Sequence, residues 1–178
     1  MERCSTVGTD AQLKVKEGKW NKPRRGTCTC NVDTAVFKEK GLSSIAAIIR
    51  VDSGAFIAAM GECFVGVFEP KEAEAIGVRE ALSWLKEGNM LQVTIETDAQ
   101  VVVQPLSSNS KDLSYFGSLI DDCTELLTDM LSYKVCFVGR SANLAARKIA
   151  REASSRPGRY EWLVVPSFLI DVLKFDLK

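Results

Sequence analysis

The sequence contains no histidine, so a Ser-His-Asp or Cys-His catalytic arrangement cannot be built in its usual form. No stretch approaches the roughly 18 consecutive apolar residues that a membrane helix needs, and the N-terminal residues lack the apolar segment of a signal peptide. The 23 basic and 23 acidic residues cancel, so no overall field attracts a polyanion and only local patches could do so. These absences predict an intracellular protein that makes no membrane contact, and they do not distinguish nucleus from cytoplasm.

The sequence also lacks the spacings that thiol–metal sites use. It has no Cys-x-x-Cys pair, and Cys28-x-Cys30 is too close for zinc. Without a secretory signal, cysteines are predicted to be free thiols in a reducing compartment. The six are Cys4, Cys28, Cys30, Cys63, Cys123 and Cys136.

The length of 178 residues suits one domain. Residues 1–18 mix small, polar and charged types without a period, which predicts a flexible polar leader. Residues 19–178 are predicted to form a single domain, which we expect to be a monomer.

Hydrophobic periodicity predicts three strands, a helix and then alternating strands and helices. A turn at Asp52-Ser53-Gly54 favours antiparallel pairing of the first strands, and the helical crossovers favour parallel pairing of the later ones. Strands are predicted at 28–37, 44–50, 54–60, 91–97 and 134–138. Helices are predicted at 71–87, 98–103, 113–131, 142–153 and from Pro166 onward, with 162–165 extended.

Three acids interrupt these apolar patterns. Asp33 lies within the first strand, and Asp98 closes the strand at 91–97. Glu74 shares the apolar stripe of the first long helix, the face that should pack on the sheet. A buried carboxylate is costly unless something pairs with it or binds it, so these three are the candidate functional residues.

Each acid also has a simpler interpretation. Asp33 could be hydrogen-bonded within the sheet, Glu74 could be a helix acid favoured by the macrodipole, and Asp98 could cap the helix that follows it. Glu96, which alternates with the apolar residues of its strand, is predicted to face solvent.

The ordered motifs of residues 20–176 resemble the ribonuclease H fold, and most closely the reverse-transcriptase-derived RNase H-like domain that is abundant in plants. The resemblance implies an α/β, ribonuclease H-like fold with a five-stranded mixed sheet, three antiparallel strands then two parallel, flanked by helices. Its marks are Trp20-x-x-Pro23-x-x-Gly26, Asn31-Val32-Asp33-x-Ala35, Arg50-x-x-x-Gly54, Glu72-Ala73-Glu74-Ala75, Ala81-Leu82-x-Trp84, Ile95-Glu96-Thr97-Asp98, Val138-x-Arg140-x-Ala142-Asn143-x-x-Ala146, Trp162, Pro166 and Asp176.

The resemblance also implies an activity. In ribonuclease H enzymes, the acids that match Asp33, Glu74 and Asp98 hold two divalent ions, which cut the RNA strand of an RNA–DNA hybrid. Mg²⁺ (or Mn²⁺) is the expected cofactor, because such ions prefer hard oxygen ligands and retain waters.

The sequence departs from active enzymes at several positions. Arg147 stands four residues after Asn143, where those enzymes carry a fourth aspartate, and the mobile histidine that aids product release is absent. Thr34 replaces a frequent glycine, and Thr29 a common lysine. An alternative is therefore a catalytically impaired, retroelement-derived domain that binds nucleic acid or protein without turnover; a third is a purely structural or protein-interaction domain.

Basic residues cluster before the first strand and around the helix at 142–153. Phosphate contacts from such clusters would give affinity without sequence specificity, with the hybrid recognised by backbone shape and the RNA 2′-OH. The alternative is that these basic residues only form the solvent-exposed face of a helix. The candidate nucleic-acid-binding residues are Asn143, Arg140, Arg147, Lys148, Arg24 and Arg25.

Overall fold

The structure is a computed structural model that describes residues 18–90, 92–108, 111–130 and 132–177. Most of the predicted leader, residues 1–17, lies outside the described residues. The strands are β1 Cys28–Phe37, β2 Leu42–Val51, β3 Phe56–Val65, β4 Val93–Thr97, β5 Lys134–Phe137 and β6 Gly158–Trp162. The helices are α1 Pro70–Glu87, α2 Gln100–Leu106, α3 Tyr115–Asp129, α4 Leu144–Ala153 and α5 Ile170–Asp176.

These strands form one mixed sheet in the order β5-β4-β1-β2-β3-β6. Strands β1, β2 and β3 are antiparallel neighbours, whereas β4 pairs in parallel with both β1 and β5. The predicted α/β class and the predicted pairing of the first five strands are therefore confirmed.

The predicted strand count is wrong, because the sheet has a sixth strand. β6 pairs antiparallel with the outer edge of β3, from Gly158 opposite Cys63 to Trp162 opposite Ala59. After α4, the sequence predicts an extended segment only at 162–165, whereas β6 begins directly after Pro157. A five-residue edge strand starting at a glycine with φ of 89° is too short to show alternation in the sequence.

Helices cover both faces of this sheet. One core lies between the sheet and α1, α2 and α3, and it contains Val32 of β1. The second core lies between the sheet and α4, and Ala35 of β1 packs against it. Alternation along β1 therefore places Asp33 on the α4 side of the sheet.

Small side chains let α4 lie close to the sheet. A Cβ placed on Gly61 of β3 would be 3.1 Å from the Cβ of Ala153. The contact residues of α4 and the strands beneath it are fully buried: Ala46, Ala59, Ala145, Ala146 and Ala150. This packing fixes the position of the polar residues that α4 carries on its other side.

The structure bears on two expectations from composition. In the part of the chain that the structure describes, no helix has both the length and the apolar character needed to cross a bilayer. The cysteines described there are all free, as predicted: Cys28, Cys30, Cys63, Cys123 and Cys136.

Candidate active site

The parallel pairing of β1 and β4 brings two of the three acids together. The register ends with Val32 opposite Thr97. Asp33 and Asp98 follow directly, so both carboxylates lie where β4 stops and β1 continues. In open α/β sheets, ligands bind outside the carboxyl ends of parallel strands, at the point where the strand order reverses.

Glu74 reaches the same place from α1, on the opposite face of the sheet. A Cβ on Gly77 would lie 2.6 Å from Cγ2 of Thr34, so only glycine there lets α1 approach β1 this closely. Gly77 thus makes room for Thr34, which stands where the resemblance expects glycine. Thr34 hydrogen-bonds Glu74, but Oε2 of Glu74 is buried and has no hydrogen-bond partner.

Burial and mutual repulsion raise the pKa of two of these carboxyl groups. Burial is the main cause for Asp33, followed by the charges of Asp98 and Glu74, and its pKa rises to about 8. The pKa of Glu74 rises to about 7, again mainly through burial. A side-chain hydrogen bond with Asp98 raises the pKa of Asp33 further.

Arginines line the same cavity of about 200 Å³ as the three acids; they are Arg140, Arg147 and Arg151. Nε of Arg140 lies 3.7 Å from Oδ2 of Asp98, although the Arg140 side chain is 81% exposed. The charge of Arg147 lowers the pKa of both Asp33 and Glu74. The cavity is therefore lined by both carboxylate and guanidinium groups.

Asn143 is fully buried. Its Nδ2 donates hydrogen bonds to the carbonyl oxygen of Val32 at 2.8 Å and to Oδ1 of Asp98 at 3.2 Å. Among the candidate nucleic-acid-binding residues, Asn143 thus holds the acids in place and offers no exposed surface.

The contacts of the three acids differ from those expected of a helix cap, a first-turn helix acid or an acid bonded to the sheet backbone. The N-cap of α2 is Ala99, with no side-chain cap, and Oγ1 of Thr97 accepts from its backbone N–H. The acid in the first turn of α1 is Glu72, not Glu74. The side-chain hydrogen bond of Asp33 is made with Asp98.

A buried polar network that the sequence analysis does not predict lies beside the acids. Arg50 donates from Nη1 to Oδ2 of Asp176 at 2.6 Å and from Nη2 to Oδ1 of Asn31 at 2.7 Å. Oε2 of Glu96 accepts from Nδ2 of Asn31 at 2.8 Å and from Nε1 of Trp20 at 3.1 Å. The Arg50 guanidinium lies 3.5 Å above the Trp20 ring centre.

The prediction that Glu96 faces solvent is therefore wrong. Burial raises its pKa, and the hydrogen bonds from Asn31 and Trp20 and the Arg50 charge oppose that rise. Asn31 and Glu96 each precede an aspartate of the site by two residues, so they share its strand face. That spacing is the sequence signal that could have found them, and their hydrogen bond joins the side chains of two paired residues of β1 and β4.

The remaining basic candidates lie outside the acid cavity. Lys148 is exposed on α4, next to Arg147. Arg24 and Arg25 are exposed in the turn that leads into Cys28. Since Asp33 is five residues further along β1, at about 3.3 Å per residue, these two arginines lie near the other end of the strand.

A divalent metal is the cofactor that the family resemblance leads us to expect, and the acid cavity has the donor type for one. Its donors are hard carboxylate oxygens, and the unpartnered buried Oε2 of Glu74 is an acceptor that a cation would satisfy. Within the described residues, however, no three acidic, cysteine or histidine side chains lie close enough together to hold an ion. Asp33, Glu74 and Asp98 are the residues that would hold the ion.

Solved structures of ribonucleases H share this fold. RNase H1 of the halophilic archaeon Halobacterium salinarum NRC-1 aligns with a TM-score of 0.65 and 21% identity, over 73% of this chain and 98% of that one. The N-terminal RNase H domain of rv2228c from Mycobacterium tuberculosis aligns with a TM-score of 0.63 and 18% identity, over 72% of this chain and 94% of that one. At such identities the likeness shows the fold alone.

A third structure contains a bound nucleic acid. LC11-RNase H1, isolated from compost and solved in complex with an RNA/DNA hybrid, aligns with a TM-score of 0.64 and 14% identity, over 72% of this chain and 97% of that one. No curated protein gives a significant match. The Reverse transcriptase-like family matches residues 31–153. Because this match spans more than half of the 178 residues, the chain belongs to the Reverse transcriptase-like family, with an RNase H-like fold.

Proposed function

We propose that this domain binds RNA–DNA hybrids and hydrolyses their RNA strand with Mg²⁺ or Mn²⁺ held by Asp33, Glu74 and Asp98. The observation that carries the proposal is the meeting of these acids in one cavity, from two strands and a helix. Burial and repulsion raise the pKa of two of them, as expected of carboxylates arranged for a cation. The hybrid bound by LC11-RNase H1 supports the substrate class.

The chain's own residues have separable roles in this reaction. Asp33, Glu74 and Asp98 would bind the ions, which when bound supply an activated water and stabilise the leaving 3′ oxygen. Asn143 orients Asp98 through its buried amide. Arg140 and Arg147, which line the same cavity, can bind a phosphate of the RNA strand, because guanidinium groups donate two hydrogen bonds to phosphate oxygens.

The test is cleavage of a labelled RNA–DNA hybrid with Mg²⁺ and with Mn²⁺. Wild type should cut the RNA strand, and Asp98→Asn should lose at least about a hundredfold in rate if Asp98 binds the ions. Asp121→Asn, which alters an exposed acid of α3, is the matched control and should cut normally. Equal rates for wild type and Asp98→Asn would overturn the proposed chemistry.

A second candidate function is hybrid binding without turnover, and Arg147 is the observation that favours it. Its fixed positive charge occupies the place of a fourth acid and faces Asp33 and Glu74, where it opposes binding of a cation. This candidate would be supported if wild type does not cleave the hybrid and the Arg147→Asp variant does. If neither protein cleaves the hybrid but both bind it, binding would also remain as the function.

We also propose that the domain is a monomer inside the cell and that it descends from a plant retroelement. Light scattering at several protein concentrations tests the first point, since a concentration-dependent mass would contradict it.

A further inference from the structure

Three cavities follow one another along the exposed side of α4. The acid cavity shares Arg147 and Arg151 with an open groove of about 550 Å³. That groove shares Glu152 with a third cavity of about 310 Å³ near β6. Since α4 has ten residues and a helix rises 1.5 Å per residue, the path is about 15 Å long.

The middle groove is suited to a polyanion. Its cationic side chains are Arg147, Lys148 and Arg151, against the single carboxylate of Glu152. Leu144 and Val172 supply the apolar part of its lining. Cations around an apolar floor complement a strand of phosphates that carries sugars and bases.

The third cavity is aromatic. Tyr160, Trp162 and Phe168 line it, together with Arg156. The Trp162 and Phe168 rings meet edge to face at 5.8 Å between centres, and the Arg156 guanidinium lies 5.6 Å from the Tyr160 ring centre. The three rings are half-buried, so they are fixed by the fold and still border the opening. Rings of this kind stack with bases without regard to sequence.

We propose that an RNA strand which continues beyond the hybrid as a single strand lies along α4 and places a base in this aromatic cavity. The proposal rests on the proposed function, which puts the RNA strand at the acid cavity where the path begins. At about 3.4 Å per stacked nucleotide, the path accommodates about four nucleotides. The substrate class is then a hybrid whose RNA strand has a single-stranded extension.

Equilibrium binding in EDTA tests this path without cleavage. The probes are a blunt RNA–DNA hybrid and the same hybrid with an extension of about four nucleotides, placed on either end of the RNA strand or of the DNA strand. One of the RNA extensions should tighten binding about fivefold or more and steepen the salt dependence.

Two variants locate the gain. Tyr160→Ala and Arg156→Gln should lose the gain from the extension and keep the affinity for the blunt hybrid. Arg156 is exposed, so its substitution tests the path even where the tyrosine variant folds poorly. Tyr115→Ala, which alters a 55% exposed ring on α3, should keep the gain.

The outcomes separate the two proposals. Binding of the blunt hybrid with no gain from an RNA extension overturns the strand path alone, as does an equal gain from a DNA extension or a gain that survives both variants. Failure of wild type to bind any of the probes in EDTA, and to cleave the hybrid when Mg²⁺ or Mn²⁺ is present, overturns the proposed function.

Discussion

The side-chain amide of Asn143 lies 3.2 Å from Oδ1 of Asp98 and donates a hydrogen bond to it. The same Nδ2 donates at 2.8 Å to the carbonyl oxygen of Val32, the residue before Asp33. One buried amide at the start of α4 therefore connects the middle of β1 to the residue that follows β4, at the point where the pairing of these two strands stops.

Asn143→Ala is expected to lower the free energy of unfolding by about 1–3 kcal/mol, because it leaves the buried Val32 carbonyl without this donor. Urea denaturation measures the change. Gln104→Ala removes an exposed amide from α2 and should stay within about 0.5 kcal/mol of wild type. Equal effects of the two substitutions would show that the buried amide does not stabilise the fold.

The ion pair between Arg50 and Asp176 provides a second test, since both side chains are only 1% exposed. Asp176→Ala leaves the buried guanidinium without its counter-ion, and we expect a loss of about 3–5 kcal/mol. Lys86 and Asp129 form a pair of similar length, 2.7 Å, but are 48% and 56% exposed. Asp129→Ala should therefore cost less than about 1 kcal/mol in the same urea experiment, and similar losses would contradict the role of burial.

The sequence alone predicted the three acids because each one interrupts an apolar period that is otherwise clear. Asp33 breaks a strand, Asp98 ends one, and Glu74 breaks a helical stripe. The order of the long elements was predictable for the same reason, since their periods extend over many residues.

What the sequence did not predict depends on contacts between distant segments. Glu96 alternates with buried residues and so resembles a solvent-facing residue, but Trp20 and Asn31 bind it. The hydrogen bond from Asn143 to Asp98 requires the approach of α4 to the sheet. No local pattern contains either contact.

Asp33→Asn is expected to change how stability depends on pH. The pKa of Asp33 rises from 3.8 to about 8 on folding, mainly through burial. Between these values the folded protein holds a proton that the unfolded chain has lost, so the stability present below pH 3.8 is lost as pH rises toward 8. An amide does not titrate in this range. The free energy of unfolding of the variant should therefore rise relative to that of wild type by about 1–3 kcal/mol as pH increases through this range.

Urea denaturation in EDTA at several pH values measures this difference. Asp121→Asn is the control, because that side chain is an exposed carboxylate on α3 and its substitution should leave the pH profile parallel to that of wild type. A parallel profile for Asp33→Asn as well would mean that burial and the neighbouring charges do not hold the proton on Asp33.

Arg147→Asp is expected to strengthen divalent-ion binding. It removes a positive charge that faces Asp33 and Glu74 and adds an oxygen donor to the same cavity. The Mg²⁺ concentration needed to raise the melting temperature should fall about tenfold, since a gain of about 1.4 kcal/mol in binding is tenfold in affinity.

The control for this experiment is Arg147→Gln, which removes the charge without adding a carboxylate. If it shifts the Mg²⁺ dependence as far as Arg147→Asp does, the arginine acts by repulsion alone and the fourth acid adds no ligand. If neither variant responds to Mg²⁺ more than wild type does, Arg147 does not oppose ion binding. If wild type also fails to cleave the hybrid, the spacing of Asp33, Glu74 and Asp98 becomes the first explanation to test. These three acids do not approach closely enough to form a three-ligand group.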